Sequence, residues 1–499
     1  MENIFEEKNA QILRKWLIDN VKFTDNNFTY KKSLYAVINP TNFCPVGCPH
    51  CLYSSLKLKK PSEQISGKSM DKFIKIANQA KIEMLVFSGG GEPFENLPVI
   101  INGIKKIKTL KDAIIITSGY FAKDGKTTKR TLDKIFNAAN LDRKKTKFSP
   151  VKITLRISRD NSQCKTVPLN NIEHILKYVT NKNDYSKIRA IVRTILDYGE
   201  NNDTELAKSL GLNLLPQKDN KDIYKDMPTI DGLPTRWLTD KNFNIQIPII
   251  YKPIYFLGRA SNTHSKNIHS LWSIVESEEK SGTPLNLCIR GSKGEGHNYY
   301  ETVFKGYKEW EKLSLPIFDT PKSKIKKELA LYLPASGRLL INNGTPDIAP
   351  SLKKISNWNQ FLKIVYSDPV ERLLIEKGPF YIKDMAKEVE KDIDEKIEKT
   401  NFVFSVSLLG LIDPSLRLYI TVRTIQYYLG LNKITIKNTL AKQILDLDCI
   451  KLYTEHKNSL SETDKKRYMD PITADAENIV LKDKTNNVAC TKLLNLILS

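Results

Sequence analysis

The sequence predicts an α/β fold whose central sheet is parallel, and three observations lead to this. Short apolar runs alternate with helical patterns over the first half of the chain. The runs are continuously apolar, as in strands that are buried on both faces. The segments between them are long enough to hold crossover helices. The six runs are residues 34–38, 84–87, 113–116, 151–157, 188–196 and 245–257.

Residues 1–33 precede the first strand and carry an amphipathic pattern. Their apolar residues fit one helical face. They are Phe5, Ile12, Leu13, Trp16 and Leu17. We predict an N-terminal helix that packs on the next domain.

The first two crossovers carry helical periodicity. Ser69 is predicted to cap a helix whose apolar face has the spacing i, i+3, i+4, i+7. That face consists of Met70, Phe73, Ile74 and Ala77. A second helix is predicted over residues 97–110.

Three cysteines follow the first strand with the spacing C-x3-C-x2-C. They are Cys44, Cys48 and Cys51. Soft thiolates select iron–sulfur clusters, zinc or copper(I). A closed zinc site takes four ligands, usually from repeated cysteine pairs, and no second such pair occurs in the sequence. Three close cysteines suit a 4Fe-4S cluster with one iron left open, while a zinc knuckle or simple buried thiols remain the alternatives.

The second strand ends in a glycine run, Gly89-Gly90-Gly91-Glu92. Glycine lets the backbone approach a ligand closely. Carbonyl groups and a carboxylate could then accept hydrogen bonds from an ammonium group. Taken alone, the run is also typical of a tight turn.

Together these motifs resemble the radical S-adenosylmethionine (SAM) superfamily, whose signature is C-x3-C-x-aromatic-C. His50 stands at the aromatic position. The resemblance implies a partial (β/α)6 TIM-like barrel with its site at the carboxyl ends of the strands. It also implies one 4Fe-4S cluster, held by Cys44, Cys48 and Cys51, and SAM as the second cofactor. In that family the GGE segment holds the SAM amino group, and Gly90, Gly91 and Glu92 match it.

The fourth and fifth strands supply further cofactor-binding candidates. Ser158 and Asp160 lie two apart in an extended segment and could bond ribose hydroxyls. The resemblance implies the SAM ribose as their ligand. Arg189 and Arg193 differ by four and share a face, so one of them, Arg193 in our assignment, could reach the SAM carboxylate. A salt bridge at the rim of the barrel is the alternative.

We divide the chain into four parts. Residues 1–33 are the N-terminal helical segment, and 34–262 are the radical SAM core barrel. Residues 263–375 form an α+β extension that weakly resembles a SPASM domain, through Gly258-Arg259-Ala260 and a hairpin and helix over 330–355. The extension contains one cysteine, Cys288, so we expect no auxiliary cluster. Residues 376–499 have no recognised role.

Charge and composition bear on partners and location. The formal net charge is +22, from 78 basic and 56 acidic residues. This charge would suit a nucleic-acid partner. The lysines are dispersed along the chain, however, so we favour drift in amino-acid composition as the origin of the charge. The start of the chain is acidic and lacks a signal sequence, and no apolar run reaches membrane-spanning length. We predict a cytoplasmic protein with no membrane association.

The predicted function is a radical SAM enzyme. It would cleave SAM to a 5′-deoxyadenosyl radical that abstracts a substrate hydrogen. The layout after the barrel favours a peptide or protein substrate, with a small molecule next and RNA third. An electron donor such as flavodoxin or ferredoxin is implied. No catalytic residue beyond the cofactor ligands is identified, and the contrasting alternative is a metal-binding interaction protein without activity.

Overall fold

The computed structural model describes the following parts of the 499-residue chain. They are residues 3–25, 28, 32–48, 51, 63–159, 166–181, 188–195, 203–215, 229–230, 233–242, 245–252, 289–290, 328–341, 350–377, 379–392 and 413–461.

The strands form one large sheet and one small one. In chain order they are β1 (Val21–Phe23), β2 (Ser33–Ile38), β3 (Met84–Phe87), β4 (Asp112–Thr117), β5 (Lys152–Ser158), β6 (Ile188–Ile195), β7 (Asn213–Leu215), β8 (Thr229–Ile230), β9 (Leu233–Thr239), β10 (Gln246–Lys252), β11 (Ile289–Arg290), β12 (Glu328–Leu333), β13 (Leu340–Ile341) and β14 (Ile434–Ile436). The large sheet has the order β11-β12-β2-β3-β4-β5-β6-β10-β9-β7, with β13 on β12 and β8 on β9.

The core of the large sheet confirms the predicted fold class. Strands β2, β3, β4, β5, β6 and β10 are neighbours in that order, and each pairs in parallel with the next. These are the six apolar runs of the sequence. Their carboxyl ends therefore meet at one edge of the sheet, which is where sites form in parallel α/β folds.

Two features of the sheet were not predicted. Strand β9 lies between β6 and β10 in the chain and pairs antiparallel with β10. Strand β12 pairs antiparallel with β13, as the predicted hairpin requires, but it also pairs in parallel with β2. The part of the chain after β10 thus adds strands to the same sheet. The segment 258–260 lies outside the described residues.

The helices that the structure describes are α1 (Glu7–Asn20), α2 (Gly67–Ala80), α3 (Leu97–Lys106), α4 (Gly125–Ala139), α5 (Leu141–Lys145), α6 (Leu169–Asn181), α7 (Asp203–Leu210), α8 (Trp358–Ser367), α9 (Pro369–Lys377), α10 (Pro379–Lys387), α11 (Pro414–Gly430), α12 (Thr439–Asp446) and α13 (Cys449–Ser459). Helix α2 has the predicted buried face, but our prediction of Ser69 as its N-cap residue is wrong. Ser66 caps it by accepting from Ser69 N at 3.1 Å, because Gly67 and Lys68 already continue the helix.

Arg143 of α5 joins α5 to the carboxyl end of α3 and to the loop that precedes β5. Its side chain is fully buried. The guanidinium donates to the carbonyl oxygens of Ile104 at 2.8 Å and Ile107 at 2.7 Å, at the end of α3. It also donates to Ser149 O at 2.6 Å. Carbonyls at the end of a helix have no partner within the helix, so Arg143 acts as their cap.

The two ends of the described chain pack together. Helix α1 lies against α11, and β1 pairs antiparallel with β14. Ser415 Oγ, at the start of α11, donates to Phe5 O at 2.5 Å. Most of the predicted apolar face is buried, with Leu13 and Leu17 of α1 and the preceding Phe5 at 0% exposure. Residues 413–461 therefore form a helical layer with the N-terminal helix.

Within the described ranges, none of the helices combines the length and the apolar character needed to cross a membrane.

Candidate functional site

The predicted site residues lie where β2, β3, β5 and β6 approach the same edge of the sheet. The cysteine loop follows β2, the GGE turn follows β3, and Ser158 is the last residue of β5. Arg193 lies near the end of β6. His50 and Asp160 are outside the described residues, so their proposed roles stay predictions.

The cysteine loop presents three free thiols that are half-buried. Gly47 takes a positive φ of 66°, a conformation that glycine adopts without strain, and so turns the chain between Cys44 and Cys48. Cys51 N donates to Cys48 O at 3.3 Å. In the described part of the chain, no three His, Cys, Asp or Glu side chains converge on one metal ion. In a 4Fe-4S cluster each thiolate binds its own iron, so such convergence is not required.

Backbone hydrogen bonds join the cysteine loop to the GGE turn. Gly91 N donates to Thr41 O at 2.8 Å, and Glu92 N donates to Phe43 O, also at 2.8 Å. Phe43 directly precedes Cys44. The two motifs are therefore parts of one structural unit, although the hydrogen-bonded residues lie about 50 positions apart in the sequence.

Glycine is required at position 91 because the two segments touch. A Cβ atom on Gly91 would come within 2.0 Å of Phe43 O. A Cβ on Gly89 would come within 1.8 Å of Gly91 O, inside the turn itself. Gly90 is different, since its nearest neighbour would be Asn42 Cα at 3.7 Å, an ordinary contact. The run is thus shaped by its packing against the cysteine loop.

Glu92 is buried, at 3% exposure, and its carboxylate is held by the end of β4. Oε1 accepts from Thr117 Oγ1 at 2.6 Å and Phe94 N at 3.5 Å. Oε2 accepts from Ser118 N at 2.9 Å and Ser118 Oγ at 2.6 Å. A carboxylate has about four lone-pair positions, and these four donors occupy them. Glu92 therefore ties the GGE turn to β4.

Burial dominates the electrostatics of this unit. It raises the pKa of the Glu92 carboxyl above its ordinary value, while the hydrogen bonds from Ser118 and Thr117 act in the opposite direction. Burial also raises the pKa of the Cys44 thiol, which hydrogen bonds from Gly47 N and Val46 N lower. The charges of Glu92 and Cys51 raise the Cys44 pKa further.

Ser158 and Arg193 lie on neighbouring strands. They are opposite each other in the register of β5 and β6, and both are half-buried. Arg159 N donates to Arg193 O at 2.7 Å just beyond this pair. The contacts proposed for Ser158 and Arg193 with SAM stay predictions.

The residues present fit a 4Fe-4S cluster and SAM. The donor set is three soft thiols on one loop, and the turn packed against that loop has half-buried backbone at Gly90. Cys449, the other cysteine within the described ranges, is buried in α13 and takes no part in this loop.

The sequence analysis missed Thr117 and Ser118, which hold the Glu92 carboxylate. Thr117 is the last residue of β4 and Ser118 follows it, at the same edge as the GGE turn, so their position in the strand order was the available signal.

A family model matches part of the chain. Residues 37–141 match a model described as a 4Fe-4S single cluster domain. The matched segment contains the three cysteines and the GGE turn, and it confirms the predicted 4Fe-4S domain. No curated protein matches the chain.

Solved structures with partial similarity include three bound complexes. SuiB from Streptococcus suis bound to S-adenosylmethionine is 15% identical, with a TM-score of 0.29, over 62% of this chain and 60% of that chain. SuiB bound to the precursor peptide SuiA is 11% identical, with a TM-score of 0.30, over 69% and 67%. BtrN in complex with AdoMet and 2-DOIA is 12% identical, with a TM-score of 0.24, over 33% and 58%. The chain thus spans less than two thirds of SuiB in the first complex and of BtrN, and at these low TM-scores we infer nothing about its activity from them.

Proposed function

We propose that this chain, in which a 4Fe-4S single cluster domain coincides with the radical SAM motifs, is a radical SAM enzyme. The observation that carries the proposal is the pair of hydrogen bonds from Gly91 N and Glu92 N to the segment that precedes Cys44. They fix the predicted SAM turn beside the predicted cluster loop. A zinc knuckle does not need this arrangement, and it would need a fourth ligand.

The protein's own residues position and shield the cofactors. Cys44, Cys48 and Cys51 would hold the cluster as thiolates. The backbone at Gly90 would accept from the SAM ammonium, and Ser158 would contact the ribose. When bound, the cluster and SAM supply the 5′-deoxyadenosyl radical, so the chain's task is to hold a substrate C–H bond near it and to exclude water.

A peptide is the substrate class that we propose, with a small molecule as the second candidate. Strand β12 ends beside the start of the cysteine loop: Asn39 N donates to Leu333 O at 2.9 Å, and Asn39 Nδ2 donates to Tyr332 OH at 2.6 Å. The short strands β11 and β13 both pair with β12. An extended peptide could add to strands at such an edge and still reach the site.

The test is SAM cleavage by the anaerobically reconstituted and reduced protein. We expect slow release of 5′-deoxyadenosine without substrate, and none from a variant in which Cys44, Cys48 and Cys51 are all alanine. A protein that holds an intact cluster and SAM but releases no 5′-deoxyadenosine would refute the proposal. One zinc per chain bound by four ligands would favour the non-enzymatic alternative.

The net charge of +22 provides a test of the RNA alternative. We expect RNA binding that is weak, indifferent to sequence and lost near physiological salt. Dispersed lysines attract RNA only by neutralising phosphates and releasing their counterions, and salt opposes that release. Filter binding of several RNAs across a salt series measures this. Tight, salt-resistant binding of one RNA would place RNA ahead of peptide.

A further inference from the structure

The end of β5 places successive side chains on opposite faces of the sheet. Ile157 is fully buried, and Arg159, which follows the strand, is 6% exposed. Ser158 between them is half-buried. Arg159 N donates to Arg193 O at 2.7 Å, so the pairing with β6 continues to this residue. Because side chains alternate along an extended segment, Arg159 shares the buried face of Ile157, and Ser158 points the other way.

A row of residues on this buried face crosses β5, β6 and β10. Ser158 is opposite Arg193, so Arg159 lies beside the next residue of β6, Thr194. Thr194 is in turn opposite Tyr251 of β10, and both are buried. Neighbouring strands are about 4.8 Å apart, which puts the backbones of Arg159 and Tyr251 about 10 Å apart. Their long side chains can therefore meet at a shared partner.

Asp203, the first residue of α7, supplies a buried carboxylate here, at 3% exposure. It accepts a hydrogen bond from Tyr251 OH. Arg236 of β9 is also buried and lies opposite Ile249, two residues before Tyr251 on the same face. Burial raises the pKa of Asp203, while the hydrogen bond from Tyr251 and the charges of Arg236 and Arg159 lower it. Buried charges need opposite charges, so the Asp203 carboxylate balances charge from both arginines.

We propose that Asp203 is a positioning residue for SAM, whose carboxylate holds Arg159 on the buried face and so orients Ser158 toward the ribose. This inference rests on the proposed function, which assigns the ribose to Ser158. Ser158 directly precedes Arg159, so an anchor on the Arg159 side chain sets the backbone direction at Ser158. A ligand-binding side chain keeps its geometry only when neighbouring groups fix it. Asp203 supplies that support from the helix after β6.

The experiment measures SAM binding to the reconstituted protein by calorimetry, without reductant. The variants are Ser158→Ala, Asp203→Asn and the double variant that combines them. Arg159→Gln breaks the same anchor from its other side, and it carries the test if Asp203→Asn does not fold. Asp71→Asn is the matched control, because Asp71 is an exposed carboxylate on α2.

We expect Ser158→Ala, Asp203→Asn and Arg159→Gln each to raise the SAM Kd about fivefold, with Asp71→Asn unchanged. The double variant should bind SAM as Ser158→Ala does, because Asp203 then has no hydroxyl to position. If Asp203 served only the fold, the two losses would multiply to about 25-fold. Such multiplication, or a wild-type Kd in Asp203→Asn or Arg159→Gln, would overturn the proposal. SAM cleavage by the wild-type protein is measured separately, so the inference can fail while the proposed function stands.

Discussion

Glu92 can act in the GGE turn in either of two ways, as a direct ligand of SAM or as a structural tie to β4. If its carboxylate binds the SAM ammonium directly, replacing it removes a charge-assisted hydrogen bond. That loss is worth about 1.5–3 kcal/mol, or on the order of 10- to 150-fold in Kd. If Glu92 mainly holds the turn against β4, its loss is first a loss of stability. The four donors around its oxygens favour the second account.

The size of the expected loss of stability follows from these contacts. In Glu92→Ala the buried N–H and O–H donors of Ser118 and the O–H of Thr117 lose their acceptor. Each unsatisfied donor costs about 1–3 kcal/mol, so we expect a loss of about 3–5 kcal/mol after partial relaxation. In Glu92→Gln the amide oxygen can still accept from Ser118 and the NH2 group can donate to the Thr117 hydroxyl. The expected loss is then about 1–2 kcal/mol.

The assay combines urea unfolding of the cluster-free protein with SAM calorimetry on the reconstituted protein. Glu95→Gln, an exposed neighbour, is the control. We expect Glu92→Gln to unfold at lower urea and to bind SAM within about threefold of the wild type. A Glu92→Gln protein with wild-type stability and a Kd raised more than tenfold would show that Glu92 is a direct ligand.

Three further predictions concern the cluster, the fold and pH. Reconstitution should give one 4Fe-4S cluster per chain, and iron analysis should find none in the triple alanine variant of Cys44, Cys48 and Cys51; about eight irons per wild-type chain would contradict this. Arg143→Lys should lower the free energy of unfolding by about 2–4 kcal/mol, because lysine cannot reach several carbonyls with one planar fork; an unchanged urea midpoint would refute the capping role. Burial lowers the pKa of His456 below its ordinary value, so the unfolded state takes up a proton first as pH falls through about 6.5, and stability should decline from there toward the folded-state pKa. His456→Gln should flatten that decline in urea titrations between pH 7 and 5, and an unaltered slope would exclude His456 as its source.

The sequence was informative where local pattern determines structure. The six parallel strands and the loop positions of Cys44 and Glu92 follow from apolar runs and from the residues that end them. The partners of Glu92 could not be read this way, since Thr117 and Ser118 come from the next strand and meet it only through strand order. Strand β9 and the pairing of β12 with β2 were missed for the same reason, because pairing across long separations leaves no periodic signal.

Helix α1 completes its packing only with residues made much later. Ser415 and Phe5 are 410 residues apart, and Asn3 donates to Leu452 O across 449 residues. At about 5–20 residues per second, translation of that interval takes about 20–80 s. During this time the apolar side of the nascent α1 lacks its partner helix, while the barrel strands can already pair. Chaperone demand during synthesis should therefore centre on the first 20 or so residues, and a stalled or truncated product should expose them.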